Sequence, residues 1–445
     1  TLTRLARGEV RCVFSVEVLG EGVDVPDVDC LLLLRPTQSA TLFSQQLGRG
    51  LRRAEGKSHL TVIDLIGQHR KEFRFDKRLA AIVDRRRGSI QEQVEKGFPF
   101  LPAGCTIDLD RVSDSIVMES LKEASRHSKP AQLVAELKQA GDQISLAEFV
   151  ENYAHRVEDI YRGKRSWTGF RREAGFATKP AGDSNLEEVA LRNLSRLTHV
   201  DDPERNGFYR EMLSEATPPR LSDLSLPEQR RMTMLAWGLG SGQSGRETLD
   251  QFFTDLWELE SVLDELRQLL AILDQRAITL TGLAEASDIP LNVHARYSRE
   301  EIVAALGFGD GVKPKVTQGG VLWVPEAKSD VFFIDLHKAE RDYSPTTMYR
   351  DYAINRDLFH WESQSRQAPH QPTVQRYINH RREETSILLF VRERKRGELG
   401  TLPFSYLGPA DYVAHEGQKP VQFTWHLRTP MPAELFESAR SVAAA

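Results

Sequence analysis

Two arginines three residues apart, Arg49 and Arg52, close the run Gln45-Gln46-Leu47-Gly48-Arg49-Gly50-Leu51-Arg52. Residues i and i+3 share one face of a helix, so both guanidinium groups can reach a single triphosphate held by a facing lobe. The guanidinium is a planar, permanently charged fork that matches phosphate oxygens. It also suits the charge that develops on a phosphoryl group during transfer. Upstream, Gly20-Glu21-Gly22-Val23-Asp24-Val25-Pro26 sets Gly22 and Asp24 ahead of a short apolar run, Leu31 to Leu34. Val10 to Phe14 and Leu60 to Ile66 are further apolar runs. All three read as interior strands, so residues 1–84 are expected to form part of a parallel α/β sheet.

These residues resemble two motifs of superfamily-2 helicases. Gly22 and Asp24 match motif V, and Gln45, Gly48, Arg49 and Arg52 match motif VI, Q-x-x-G-R-x-x-R. Gln46 stands where other helicases carry Arg. The resemblance implies a partial second RecA-like lobe, with Arg49 and Arg52 as arginine fingers of a parent ATPase that uses ATP and Mg. The facing half of that engine is missing from the sequence. No G-x-x-x-x-G-K-[ST] phosphate loop occurs, since Gly56-Lys57-Ser58 lacks the preceding Gly. Asp264-Glu265 lies inside a leucine-rich helical pattern instead of following a strand. The chain starts without Met, inside a βα unit. It therefore reads as a fragment of a longer protein, with no cofactor of its own and no ATP hydrolysis alone.

Composition sets further bounds. The 445 residues, 40% hydrophobic and 28% charged, fit a multidomain soluble protein at roughly 100–200 residues per domain. No apolar run approaches the ~20 residues that span a bilayer. Cys12, Cys30 and Cys105 are widely spaced and form no C-x-x-C, so disulfide frameworks and zinc knuckles are not expected, and a reducing cytoplasm is. The net charge of −5 argues against a surface that coats nucleic acid uniformly, though not against local basic stripes.

Residues 85–310 read as a helical coupler. Ser145 with Glu148 and Ser298 with Glu301 are capping boxes. The first is expected to open a helix with Phe149, Val150, Tyr153, Val157, Ile160 and Tyr161 on one face, and Gly307 to end the second. Leu249, Phe252, Leu256, Leu259, Leu263, Leu266, Leu270 and Leu273 alternate spacings of three and four. Such a seam packs inside a bundle of the same chain or pairs two chains in a homodimer. Arg162-Gly163-Lys164-Arg165-Ser166-Trp167 with Arg171-Arg172 is either a grip on a phosphate backbone or a solvated helix end. Gly240 to Gly245 matches G-x-G-x-x-G but follows a helical stretch, so it reads as a loop.

From residue 311 to 445 the texture is β-rich. Val321 to Val324, Val331 to Ile334, Ile387 to Val391 and Val421 to Trp425 read as strands, a helix is expected near Thr346 to Ala353, and a small mixed β-barrel is the expected architecture. The overall class is therefore α/β, then α, then β. Aromatic and basic residues crowd this segment, a mixture suited to stacking on bases and contacting phosphates. The candidate nucleic-acid contacts are Phe359, Trp361, Gln364, Tyr377, Tyr412, Asp351, Arg376 and Arg381, Asp351 as an acceptor for a cytosine amino group. Core packing is the competing role for each aromatic. No metal site and no hydrolytic site emerge: His127-Ser128-Lys129 lacks the later Asp of a phospholipase-D-type nuclease, and Glu393-Arg394-Lys395 fits an exposed hairpin.

The runs Ser344 to Tyr352, Leu358 to Ser365, Leu389 to Glu393, His415 to Pro420 and Ile289 to Tyr297 resemble a DUF3427-type C-terminal domain appended to certain bacterial superfamily-2 helicases. That resemblance extends to type IV, modification-dependent restriction endonucleases. It implies a parent with an N-terminal nuclease and a first helicase lobe, and ATP-driven translocation on double-stranded DNA. It also implies recognition of 5-methyl- or 5-hydroxymethylcytosine by the C-terminal domain. A barrel of SRA or PUA type, which extrudes a base, is the fold expected by analogy. The rivals are a repair or remodelling helicase with a modification-blind C-terminal domain, and a module that docks a protein.

Overall fold

The computed structural model describes the chain apart from residues 1–3, 6, 8, 15–25, 35–39, 55, 66–74, 80–81, 84–89, 96, 99–100, 102–103, 128, 154, 177–182, 278–287, 316–318, 337–350, 365–366, 398 and 441–445. It divides into two compact units, residues 1–136 with 151–155, and residues 137–150 with 156–445.

In the first unit, β1 (Cys30–Leu33) pairs in parallel with β2 (Thr61–Asp64), and the helix Ala40–Gly50 lies between them in sequence. Gly50 fits there because it has no side chain: a Cβ would stand 2.7 Å from Leu60 Cδ2 and 3.0 Å from Leu31 Cδ1. The expectation of fully buried strands is corrected. Leu32, Leu34, Ile63 and Leu65 are 46–53% exposed, because alternate residues of a strand point to opposite faces and only one face is packed by described residues. Val10 to Phe14 is not a strand, and Phe14 is 76% exposed.

The second unit begins with helices. Both capping boxes form: Ser145 N donates to Glu148 at 2.9 Å and Ser298 N to Glu301 at 2.7 Å. The helix after Ser145 is shorter than expected, since Leu146–Asn152 stops and a separate helix covers Val157–Tyr161. The leucine seam also breaks, into Leu249–Trp257 and Glu260–Asp274. All eight of its residues are at most 8% exposed, so the seam is core of this unit and not a continuous coiled-coil stripe.

The C-terminal strands are β3 (Arg296–Tyr297), the hairpin β4 (Gly309–Asp310) with β5 (Lys313–Pro314), β6 (Val321–Val324), β7 (Ser329–Asp335), β8 (Tyr352–Ala353), β9 (Leu358–Glu362), β10 (Ser386–Arg392), the hairpin β11 (Arg396–Gly397) with β12 (Gly400–Thr401), β13 (Phe404–Glu416) and β14 (Gln422–Leu427). Among the described residues one mixed sheet runs β6-β7-β10-β13-β14-β9-β8, with β3 on β13, and only β7–β10 is parallel. The expected barrel is corrected: β6 and β8 end the sheet unpaired with each other. The apolar face that a barrel would enclose is covered by helices Pro372–Ile378 and Ala433–Arg440, through Val374, Tyr377, Leu435 and Phe436. The helix expected near Thr346 to Ala353 lies mostly outside the described residues, and Tyr352–Ala353 is strand. No helix among the described residues is long and apolar enough to cross a membrane.

Candidate nucleic-acid and nucleotide interface

Gln45, Gly48 and Arg49 fall on the helix Ala40–Gly50, with Gln45 and Gly48 exposed; the Arg49 side chain lies outside the description. Arg52 is not on that helix. It stands in the exposed turn that follows, so the expectation of both arginines on one helix is corrected. Lys57 engages this turn: its ammonium donates to the carbonyls of Gly50, Arg52 (3.0 Å) and Pro26 (2.9 Å). Three carbonyls on one cation close the helix end, as basic side chains do there. They also tie it to Pro26, the last residue of the Gly20–Pro26 run. Gly22 and Asp24 lie outside the described residues. An exposed amide, an exposed glycine and an exposed arginine within 45–52 fit one side of a triphosphate site.

The aromatic candidates divide by burial. Phe359 and Trp361 of β9 and Tyr377 are 0%, 5% and 0% exposed. Trp361 packs 4.2 Å from Phe332, and Tyr377 lies edge-on to the same ring at 5.1 Å. Burial, with Asp330 nearby, pushes the Tyr377 phenol up. Tyr412 is half-buried, and its hydroxyl lies 2.6 Å from His415 Nδ1. Asp351 is 3% exposed and accepts from the Glu362 amide at 3.0 Å. Gln364, just past β9, is exposed.

The basic candidates differ in what they hold. Arg376 grips buried Asp330 with two 2.7 Å bonds and lies 4.2 Å from the Trp323 ring. Arg381 is 70% exposed and reaches Asp411, which Arg428 also engages. Sequence reading passed over Arg428, although alternation along β14 sets it on the face of Gln422, Thr424 and His426. The stretch 162–172 is mostly engaged internally. Arg162 meets Asp159 at 3.2 Å, Arg165 meets Glu173 at 3.1 Å, Arg171 meets the Asp142 carbonyl at 2.8 Å, and Arg172 takes Glu187 in two 2.8 Å bonds. Glu265, of the acidic pair, accepts from Trp167 N at 2.7 Å and Thr168 N at 2.8 Å, capping the helix Trp167–Ala174. Burial pushes its carboxyl up.

The run Ile289 to Tyr297 is structural. Asp202 accepts from Tyr297 Oη at 2.8 Å and Asn292 Nδ2 at 3.0 Å, and Asp201 from Arg296 Nε at 2.8 Å. Among the described residues, no group of three or more His, Cys, Asp or Glu could hold a metal ion.

Comparison with known proteins adds two domains. Residues 1–54 match the family described as "Helicase conserved C-terminal domain". Residues 291–439 match the family described as "Domain of unknown function (DUF3427)". A 66-residue segment is 41% identical to IRC3 of Saccharomyces cerevisiae, provisionally named an ATP-dependent helicase, covering 15% of this chain and 10% of that protein. A 62-residue segment is 34% identical to a 51.5 kDa protein of a Lactococcus phage, 14% of each chain. The matches thus span a small part of these relatives' own lengths.

Proposed function

We propose that the chain is the C-terminal part of an ATP-dependent superfamily-2 DNA translocase. In this reading Arg49 and Arg52 act on ATP held largely by the rest of the protein, and the C-terminal domain contacts DNA. The observation that carries it is the helicase C-terminal domain at 1–54, which contains the whole Gln45 to Arg52 run. ATP with Mg supplies the phosphoryl chemistry. This chain's residues would orient and neutralise it: guanidinium groups from 49 and 52, with Lys57 fixing the turn that carries Arg52.

The finer reading is a modification-dependent restriction enzyme whose C-terminal domain distinguishes 5-methyl- or 5-hydroxymethylcytosine. Its support is the resemblance of the runs between Ile289 and Pro420. With Phe359, Trp361 and Tyr377 buried, the exposed Gln364 and half-buried Tyr412 are its stronger contacts. Fluorescence anisotropy of this chain on matched duplexes carrying cytosine, 5-methylcytosine or 5-hydroxymethylcytosine, at one salt concentration, tests both levels. Tighter binding to a modified duplex supports the finer reading. Equal binding keeps the translocase and removes the modification reader. No binding to any duplex favours a protein-docking domain.

A further inference from the structure

Strand β14 has two unlike faces. Val421, just before it, and Phe423, Trp425 and Leu427 join the core, so Gln422, Thr424, His426 and the following Arg428 face the other way. Gln422, His426 and Arg428 are exposed and Thr424 is half-buried. The register carries this second face across three strands. His426 stands between Asp411 and Leu358, Thr424 between Ala414 and His360, and Gln422 between Glu416 and Glu362. His360 pairs with Tyr352 of β8, their rings stacked 4.7 Å apart at 13°.

At one end of this face two guanidinium groups share one carboxylate. Asp411 Oδ1 accepts from Arg381 Nε at 3.0 Å and Arg428 Nη2 at 3.1 Å, and Oδ2 from Arg428 Nε at 3.2 Å. Arg381 Nη2 lies 2.7 Å from Oδ2. The Asp411 side chain is 9% exposed, against 70% for Arg381 and 37% for Arg428. Two cations on one anion leave positive charge in excess. Arg381 turns its Nε–Nη2 edge to the carboxylate, which directs its Nη1 donors away from it. Because Asp411 already fixes both side chains, an anion meeting them there orders little further. His360 lies one row along the strands and two strands across from Asp411, roughly 12 Å away at about 3.4 Å per residue and about 4.8 Å per strand, so the phosphate and the stacked base belong to neighbouring nucleotides of an extended strand. At the far end Gln422 Nε2 reaches Glu362 Oε1 at 3.4 Å. Together they offer a donor and an acceptor to a base edge, while Glu362 and Glu416 repel phosphate.

We propose that this face binds single-stranded nucleic acid, with phosphate at the Arg381–Arg428 end and a base on the Tyr352–His360 pair. The proposal rests on the translocase reading. An open sheet face that carries a ring platform beside basic groups fits the unstacked bases and backbone of a single strand. A strand displaced during translocation is the form of nucleic acid that would meet it.

The test is anisotropy of a fluorescent oligothymidylate on the whole chain and on Tyr352→Ala and Arg381→Gln, each checked for an unchanged melting midpoint. Tyr352→Ala is expected to weaken binding about 5- to 150-fold, the range for losing one stacked base. Arg381→Gln is expected to weaken binding and to lower the salt-dependence slope by about 0.7, one phosphate contact on a single strand. Arg381 is exposed, so its slope decides even where Tyr352→Ala unfolds. Unchanged affinity and slope in Arg381→Gln, or binding by the wild type to duplex alone, overturns the proposal. The translocase reading fails separately, through ATP hydrolysis by the full-length protein that is indifferent to Arg49→Ala.

Discussion

Arg205 Nη1 and Glu301 Oε1 meet at 2.8 Å with side chains 0% and 1% exposed. Glu301 lies inside the matched segment 291–439, and Arg205 lies well before it. His199 takes the other Glu301 oxygen at 2.6 Å, and Arg205 Nη2 donates to the Arg296 carbonyl at 2.9 Å. The helical middle therefore completes the polar core of the C-terminal domain, and the domain's own family boundary cuts through an ion pair.

This relationship predicts that residues 291–439 made alone are much less stable than the whole chain. Removing one partner of a buried pair costs about 3–5 kcal/mol, and the cut removes Arg205, His199, Asp201 and Asp202 together. In the whole chain, Arg205→Ala is expected to lower unfolding stability by about that amount. Chemical denaturation checks both; an isolated segment as stable as the whole chain contradicts the account.

Two groups set an acid sensitivity. Burial pushes the Glu301 carboxyl up, but His199 and Arg205 outweigh it and hold it at about 2, below the usual 4.5. Burial, then Arg356, lowers His294 from 6.5 to about 4. In both cases the unfolded chain binds the proton more readily, so stability is present above the ordinary value and is lost as pH falls. His294 acts between pH 6.5 and about 4, and Glu301 between 4.5 and about 2. His294 has φ 73°, which Asn tolerates. His294→Asn is thus expected to keep the fold and flatten stability between pH 6.5 and 4.5. An unchanged slope in that window would remove His294 as its source.

Lys57 holds the turn that carries Arg52. Lys57→Met keeps the apolar stem and loses three donations, to Pro26, Gly50 and Arg52. In the full-length protein, ATP hydrolysis is expected to fall on the order of 10- to 100-fold, the scale of a misplaced catalytic group. Faster amide exchange at residues 50–52 should accompany the loss. Normal hydrolysis in Lys57→Met would deny the positioning role.

Gly309 admits Trp237. A Cβ there would stand 2.1 Å from the indole Cη2, and the indole Nε1 donates to the Gly311 carbonyl at 3.1 Å. Gly309→Ala is expected to cost about 1–3 kcal/mol, read as a lower denaturant midpoint with a changed Trp emission. A neutral variant would show that the ring has room to move.

What was legible in the sequence was local. Ser145–Glu148 and Ser298–Glu301 could be read because both partners sit within four residues. The rest of the Glu301 site could not, since Arg205 and His199 are 96 and 102 residues away. The Arg49–Arg52 spacing pointed to a helicase lobe, but Arg52 stands past the helix end, in a turn held by Lys57, which the sequence showed only as part of a failed phosphate loop. The leucine seam kept its period across the break at Glu258–Leu259 because both helices bury the same kind of face. Strand β13 went unseen because Gly408 and Pro409 interrupt its pattern. Both β9 candidates, Phe359 and Trp361, point inward, and the outward-facing His360 and Glu362 of the same strand were not among the candidates.

The most direct measurement is DNA-stimulated ATP hydrolysis by the full-length protein and its Arg49→Ala and Arg52→Ala variants. The account predicts hydrolysis that rises with DNA in the wild type and falls by about 10³–10⁵ when an arginine finger is lost. Hydrolysis near the wild-type rate in both variants would contradict it.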